Sequence, residues 1–223
     1  MKLSKKTLSI LKNFTGINNS IFIKTGNTLN TIAVTKNIYA SAQIEEEFPT
    51  SFAIYDLSEF VQSFDLFVED PELDFTNDKF VKFLEDKVSV KYFFTDPEVI
   101  ISAPNTKPNL GECQFKFNIR SDIFEKLMRA SLTMKLPDLC VECDGGDAKI
   151  ITKDKDNSTS NSYSFEVGES PNTFRYNLKT ENIKILKGSY SVELYHKAAR
   201  FINSSDSLEY IIALEPDSSF QKL

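Results

Sequence analysis

The strongest constraint on this 223-residue chain is a helical pattern that recurs four times against a background of strands. Ser4 to Phe14 opens with a capping serine and carries Thr7, Leu8, Leu11 and Phe14 as an apolar stripe. Asp56 to Phe64 opens with a capping aspartate, has Glu59 three positions on, and spaces Leu57, Phe60, Val61 and Phe64 at i, i+3, i+4 and i+7. Ser121 to Ala130, capped by Asp122 or Ser121, carries Ile123, Phe124, Leu127 and Met128. Thr180 to Lys187 is shorter and is stopped by Gly188. Starts one and three lie 117 positions apart, and starts two and four lie 124 apart. Strand-like runs precede three of the four: 51–55, 114–119 and 173–178. A unit of roughly 110 residues is therefore used twice.

Most of the remainder alternates with period two. Val88, Val90, Tyr92 and Phe94 alternate with Lys87, Ser89 and Lys91; Tyr163, Phe165 and Val167 alternate with Ser162, Ser164 and Glu166; Tyr190, Val192 and Leu194 alternate with Ser191 and Glu193. Such runs read as half-buried strands. Thr95 to Gly111 holds three prolines and a glycine and reads as a linker, and 152–162 reads as an exposed hairpin loop. The expected fold is α+β: two similar domains over 1–100 and 114–223, joined by a connector over 101–113. Each has two helices on one face of antiparallel sheet and about eight strands.

Chemistry is scarce. No glycine-rich phosphate loop, nucleophile elbow or His-Glu-x-x-His is present, and His196 is the one histidine. The carboxylates fall in acidic runs, which are ordinarily solvated surface. Cys140-x-x-Cys143 has metal-like spacing and could join Cys113 and His196 around zinc, but no second close pair accompanies it. A strand with small apolar side chains is the plainer reading. Neither a metal nor a cofactor is expected. Three cysteines make no disulfide framework and fit a reducing compartment. No apolar run reaches the length of a transmembrane helix, and Met1-Lys-Leu-Ser-Lys-Lys lacks the apolar core of a secretory signal. No membrane partner is expected.

Net charge is −6, which by itself argues against nucleic acid, but the charge is segregated. Residues 1–44 hold six lysines and no acid; residues 45–78 hold eleven acids and no base. Lys5 and Lys12 are seven apart and share a helix face, expected to lie opposite Leu8 and Leu11. Lys126 and Arg129 on the third helix, and Lys184 and Lys187 on the fourth, repeat the arrangement, while the second presents Glu59, Gln62 and Asp65. No side-chain set suited to reading bases or stacking on single strands accompanies them, so the pattern fits loose, sequence-independent phosphate contact.

Four stretches carry a resemblance. The start, Met1-Lys-Leu-Ser-Lys-x-Thr-x-x-x-Leu-Lys-Asn-Phe14 followed by Ile17-Asn18, resembles the sliding clamps of T4-like bacteriophages. So, in order, do Ala53-Ile-Tyr-Asp-Leu-x-x-Phe60, Ile183-Lys-x-x-x-Gly-x-Tyr190 and Tyr210-Ile-Ile-Ala-Leu-Glu-x-Asp-Ser218. The likeness spans essentially the whole chain. The connector, Ala103-Pro-Asn-Thr-Lys-Pro108, has one residue more than the usual Pro-Asn-Lys-Pro, and the end, Ser219 to Leu223, also departs.

The resemblance implies a DNA polymerase processivity factor, not an enzyme: a homotrimeric ring that encircles duplex DNA in the cytoplasm of the infected bacterial host. Its other implied partners are the phage DNA polymerase, a clamp-loader ATPase and late-transcription factors. It places Lys5, Lys12, Arg129 and Lys184 toward DNA, and helical spacing adds Lys126 and Lys187. Val88, Val90, Tyr92, Tyr163 and Phe165 fall at the subunit interface, and Ile101, Pro104, Leu214 and Pro216 at a partner-docking groove. Twelve helices about 10 Å apart would define a circle roughly 38 Å across. Removing about 5 Å of helix on each side leaves a bore of roughly 28 Å, enough for hydrated duplex. The competing classes are a monomeric two-domain β-rich interaction module, which mass in solution would distinguish, and an enzyme built on scattered carboxylates and a metal.

Overall fold

A computed structural model describes residues 1–205 and 207–223. The chain divides into two compact units, Met1–Thr106 and Lys107–Leu223, the division falling inside the proline-rich stretch.

The first unit begins with α1 (Lys5–Thr15), followed by β1 (Ile21–Ile23), β2 (Gly26–Ile32), β3 (Ile38–Phe48) and β4 (Phe52–Ile54). Next come α2 (Leu57–Gln62), β5 (Glu72–Asp74), β6 (Phe80–Glu85) and β7 (Val88–Phe93). β2 and β3 form a hairpin, β1 pairs with β4, and β5, β6 and β7 form a three-stranded meander, all antiparallel. Ile10, Leu11 and Phe14 of α1 and Leu57 and Phe60 of α2 are buried. Phe60 meets Phe64, Phe83 and Tyr92 edge to face at 5.2–5.8 Å between ring centres. Each buried ring of this kind contributes about 2–3 kcal/mol, enough to dock a six-residue helix too short to persist alone. After Gln62, α2 tightens into a 3-10 turn over Ser63–Leu66.

The second unit holds β8 (Phe115–Ile119), α3 (Ser121–Met134), β9 (Asp138–Lys153) and β10 (Tyr163–Lys179). These are followed by β11 (Tyr190–Leu194), β12 (Ala198–Asn203), β13 (Leu208–Ala213) and β14 (Ser219–Gln221). β9 and β10 form a long hairpin that β14 joins at Thr173–Arg175. β8, β11, β12 and β13 pair successively in the order β8-β11-β12-β13. Fully buried Tyr176, Tyr190, Phe201 and Tyr210, with Phe124 and Leu127 of α3, fill the core. In both units a helix, a long hairpin, a short segment (α2 in the first, a 3-10 turn in the second) and a meander follow one another, which is the physical form of the repeat.

Six expectations need correcting. The fourth helix does not form: Thr180–Asn182 is a single 3-10 turn, and Ile183–Lys187 is irregular. The Leu186 N–H donates to the Tyr210 hydroxyl and the Leu186 carbonyl accepts from the Tyr190 hydroxyl, so tertiary partners take the place of the helical ladder. β-Branched Ile183 and Ile185, beside Asn182, leave little propensity to resist them. The bore estimate from twelve helices therefore counted elements that are absent. Gly188 has a different role: a Cβ there would lie 2.6 Å from Asn203 Nδ2, so it permits close packing, not helix termination. On α1, Ile10 is buried while Leu8, at i+3 from Lys5, is half-exposed on the lysine side. α3 runs on to Met134, where Lys135 turns into the left-handed region (φ 55°), and its N-cap position is Arg120, not Ser121 or Asp122. Among the described residues each unit has seven strands where about eight were expected.

Candidate nucleic-acid interface

α1 presents its basic face because its start is held firmly. The Ser4 hydroxyl accepts from the Thr7 N–H at 3.2 Å. Glu46, reaching across from β3, accepts from the Ser4 N–H and, at 2.6 Å, from the Thr7 hydroxyl. Burial works to raise the Glu46 carboxyl, but these donors outweigh it and hold it below its ordinary 4.5. A carboxylate at a helix N-terminus also meets the positive end of the helix dipole. Lys5 and Lys12 are exposed on this helix. They line, with Leu8, Val61, Gln62 and Asp65, a depression of about 310 Å³ between α1 and α2. This surface is mixed in sign, since Glu59 and Asp65 of the second helical stretch are also exposed.

In the second unit Lys126 and Arg129 are exposed on α3. Lys187 lies 3.4 Å from Glu125 of α3, so part of its charge is already matched. Lys184 is exposed in the irregular segment. A groove of about 570 Å³ runs between α3 and this segment, lined by Met128, Arg129, Leu132, Ile183, Ile185 and Lys187 among others. Lys5, Lys12, Lys126 and Arg129 make no ion pair among the described residues. The Glu46 cap and the Glu125 partner were missed in the sequence. Glu46 lies in a run of three glutamates that reads as solvated surface, and only the fold turns the middle one inward.

The remaining candidates are placed as follows. In β7, Val90 is half-buried opposite buried Phe83, Tyr92 is half-buried, and Val88 is 48% exposed. The Tyr92 hydroxyl donates to the Asp56 carbonyl at 2.8 Å; burial, reinforced by Glu59 and Asp56, pushes it up to about 12. Tyr163 and Phe165 of β10 are 36% and 41% exposed. Ile101 and Pro104 are exposed in the first unit, and Ile101 offers its carbonyl to Asn18 Nδ2 at 2.9 Å. In the second unit Leu214 is half-buried just past β13, and Pro216 is exposed. Cys140 and Cys143 are buried in β9 while Cys113 is exposed. Burial pushes the Cys140 thiol up to about 12, so it is an inert core thiol at neutral pH. Among the described residues no group of three or more His, Cys, Asp or Glu side chains could hold a metal ion. No helix among them is long and apolar enough to cross a membrane.

Paired units of antiparallel sheet, with helices bearing exposed bases, define a clamp-type fold. The solved structure described as the C-terminal region of FEN-1 bound to A. fulgidus PCNA matches with a TM-score of 0.73, at 14% identity over 98% of each chain. PCNA from Entamoeba histolytica matches with a TM-score of 0.66, at 11% identity over 94% of each chain. Family models described as DNA polymerase processivity factor and as gp45 sliding clamp, C terminal, match residues 2–93 and 116–216. The sliding clamp of Vibrio phage KVP40 is 33% identical over 96% of this chain and 99% of its own length. That of Enterobacteria phage T4 is 30% identical over 98% and 99%. The chain belongs to the T4-like phage sliding clamps, DNA polymerase processivity factors and a non-enzymatic family. Membership carries with it DNA and a polymerase as partners, and assembly into an oligomer.

Proposed function

We propose that three copies of this chain close head to tail into a ring around duplex DNA, with Lys5, Lys12, Lys126, Arg129, Lys184 and Lys187 toward the duplex. The observation that carries this reading is that Lys5 and Lys12 of α1 and Lys126 and Arg129 of α3 are exposed and make no ion pair among the described residues. Retention by enclosure needs no tight contact, and mobile, solvated phosphate contacts suit a protein that must slide. Acidic surface elsewhere keeps DNA from binding outside the ring. The seam joins β7 of one copy to β10 of the next. Ile101 and Pro104 at the connector, and Leu214 and Pro216 past β13, bind peptides of the phage polymerase, and a loader ATPase and late-transcription factors dock there in turn. The ring works in the cytoplasm of the infected bacterium.

The test is Lys5→Glu combined with Lys12→Glu. Both side chains point away from the core, so assembly should survive while processive synthesis is lost and basal polymerase activity is kept. Lys24→Glu with Lys36→Glu, off the helices, makes the same charge change. Equal damage from that pair would mean that only net charge matters and would remove the assignment of the DNA-facing side.

A further inference from the structure

Two strand edges are open among the described residues. β7 pairs only with β6, and the Tyr163–Glu166 part of β10 pairs only with β9, because β14 covers no more than Thr173–Arg175. On the side facing the cores, β7 presents Val90 and Tyr92, across from buried Phe83 and Val81. On the same side of its own sheet, β10 presents Tyr163 and Phe165, across from buried Thr152 and Ile150. Joining the edges with their core sides matched forbids a slip of one residue, which would turn every apolar side chain outward. A slip of two still sets apolar against apolar. Burial alone therefore leaves the register open.

The outer face supplies what burial lacks. Residues 88–93 carry one charge, Lys91, and residues 161–167 carry one, Glu166. Lys91 stands directly across from Lys82, and Lys82 across from Asp74. Two adjacent lysines at a sheet edge repel, and a carboxylate arriving on the open side of Lys91 relieves them. Glu166 is exposed, and its one ion pair among the described residues is the 3.8 Å contact with Lys149 across the β9–β10 hairpin.

We infer that one ion pair, Lys91 of one copy with Glu166 of the next, sets the register of the seam; this rests on the ring reading above. β6–β7 and β9–β10 both pair antiparallel, and antiparallel pairing of the two open edges with Lys91 opposite Glu166 also puts Tyr92 opposite Phe165 and Phe93 opposite Ser164. Both core sides then match. The charges Asp74, Lys82, Lys91, Glu166 and Lys149 form a single row across the joined sheets.

The test is sedimentation over a dilution series, at low and high salt. Lys91→Glu and Glu166→Lys, both at exposed positions, should each weaken assembly about fivefold at low salt and less at high salt. Combined in one chain they should restore assembly to near the parent level. Silent single variants, or a double variant no stronger than the weaker single, would overturn the ion pair. Val90→Pro tests the seam itself by removing ladder hydrogen bonds, and Phe165→Asp serves if Val90→Pro does not fold. Dissociation of these variants alongside failed charge rescue would leave the seam standing and the ion pair wrong. Full assembly of a folded Val90→Pro or Phe165→Asp protein would overturn the seam and the ion pair together.

Discussion

Glu46 shows how one side chain can decide whether a functional helix holds its place. It satisfies the Ser4 N–H and the Thr7 hydroxyl, so Glu46→Gln should cost about 1 kcal/mol after allowance for its partial exposure. The pH dependence has a definite sign. The folded carboxyl lies below its ordinary 4.5, so its contribution is complete above that value and is lost as pH falls through the folded value. The melting-temperature gap between parent and Glu46→Gln should therefore narrow between about pH 6 and pH 3. A gap that widened on acidification would refute the cap. Asp138 is the other carboxylate that its sequence neighbours do not reveal. It is fully buried and accepts from Lys179 Nζ at 2.7 Å and the Lys155 N–H at 3.0 Å. Asp138→Ala should cost about 2 kcal/mol in denaturant unfolding, less than an enclosed pair would because Lys179 reaches solvent.

At the scale of elements, the segment after β10 is the instructive case. Its pattern of Ile183, Leu186 and Lys187 is as helical as that of α2, yet α2 forms and this one does not. The difference lies in what each meets. α2 has Asp56 bonded to the Glu59 N–H at 2.8 Å and a ring of phenylalanines beneath it. The later segment meets two tyrosine hydroxyls that claim the Leu186 peptide on both sides. Tyr210→Phe should therefore speed hydrogen exchange at the Leu186 amide and cost about 1–2 kcal/mol. Unchanged exchange there would show that the tyrosine does not hold the segment. At the end of α3, Lys135 holds a left-handed conformation that glycine adopts without strain. Lys135→Gly should raise stability by up to about 1 kcal/mol, readable as a shift of the denaturant midpoint.

At the scale of the whole molecule, the proposed docking surface and ring must be separable by mutation. Leu214→Asp places a charge at a half-buried apolar position just past β13. It should abolish binding of polymerase C-terminal peptides, measured by fluorescence anisotropy, while sedimentation still reports the assembled ring. Hydrophobic anchors carry most of the energy in such contacts, so the loss should exceed tenfold. Unaltered peptide binding by an assembled Leu214→Asp protein would remove this surface from the reading.

The sequence alone determined the duplicated α+β architecture, because helical and strand periodicities survive in the order of residues whatever surrounds them. It also placed Lys5, Lys12, Lys126 and Arg129 on exposed helix positions, since spacing along a helix is local geometry. The family was legible in the first fourteen residues and the Tyr210–Ser218 run. Tertiary structure decided what depends on partners distant in the chain. It put Leu8 on the lysine side and Ile10 in the core, because which flank of an apolar stripe is buried depends on the sheet it meets. It chose one glutamate of three as a helix cap, because that choice depends on where β3 passes α1. It denied the fourth helix, because backbone hydrogen bonds go to whichever partners the fold supplies, and there the fold supplied Tyr190 and Tyr210.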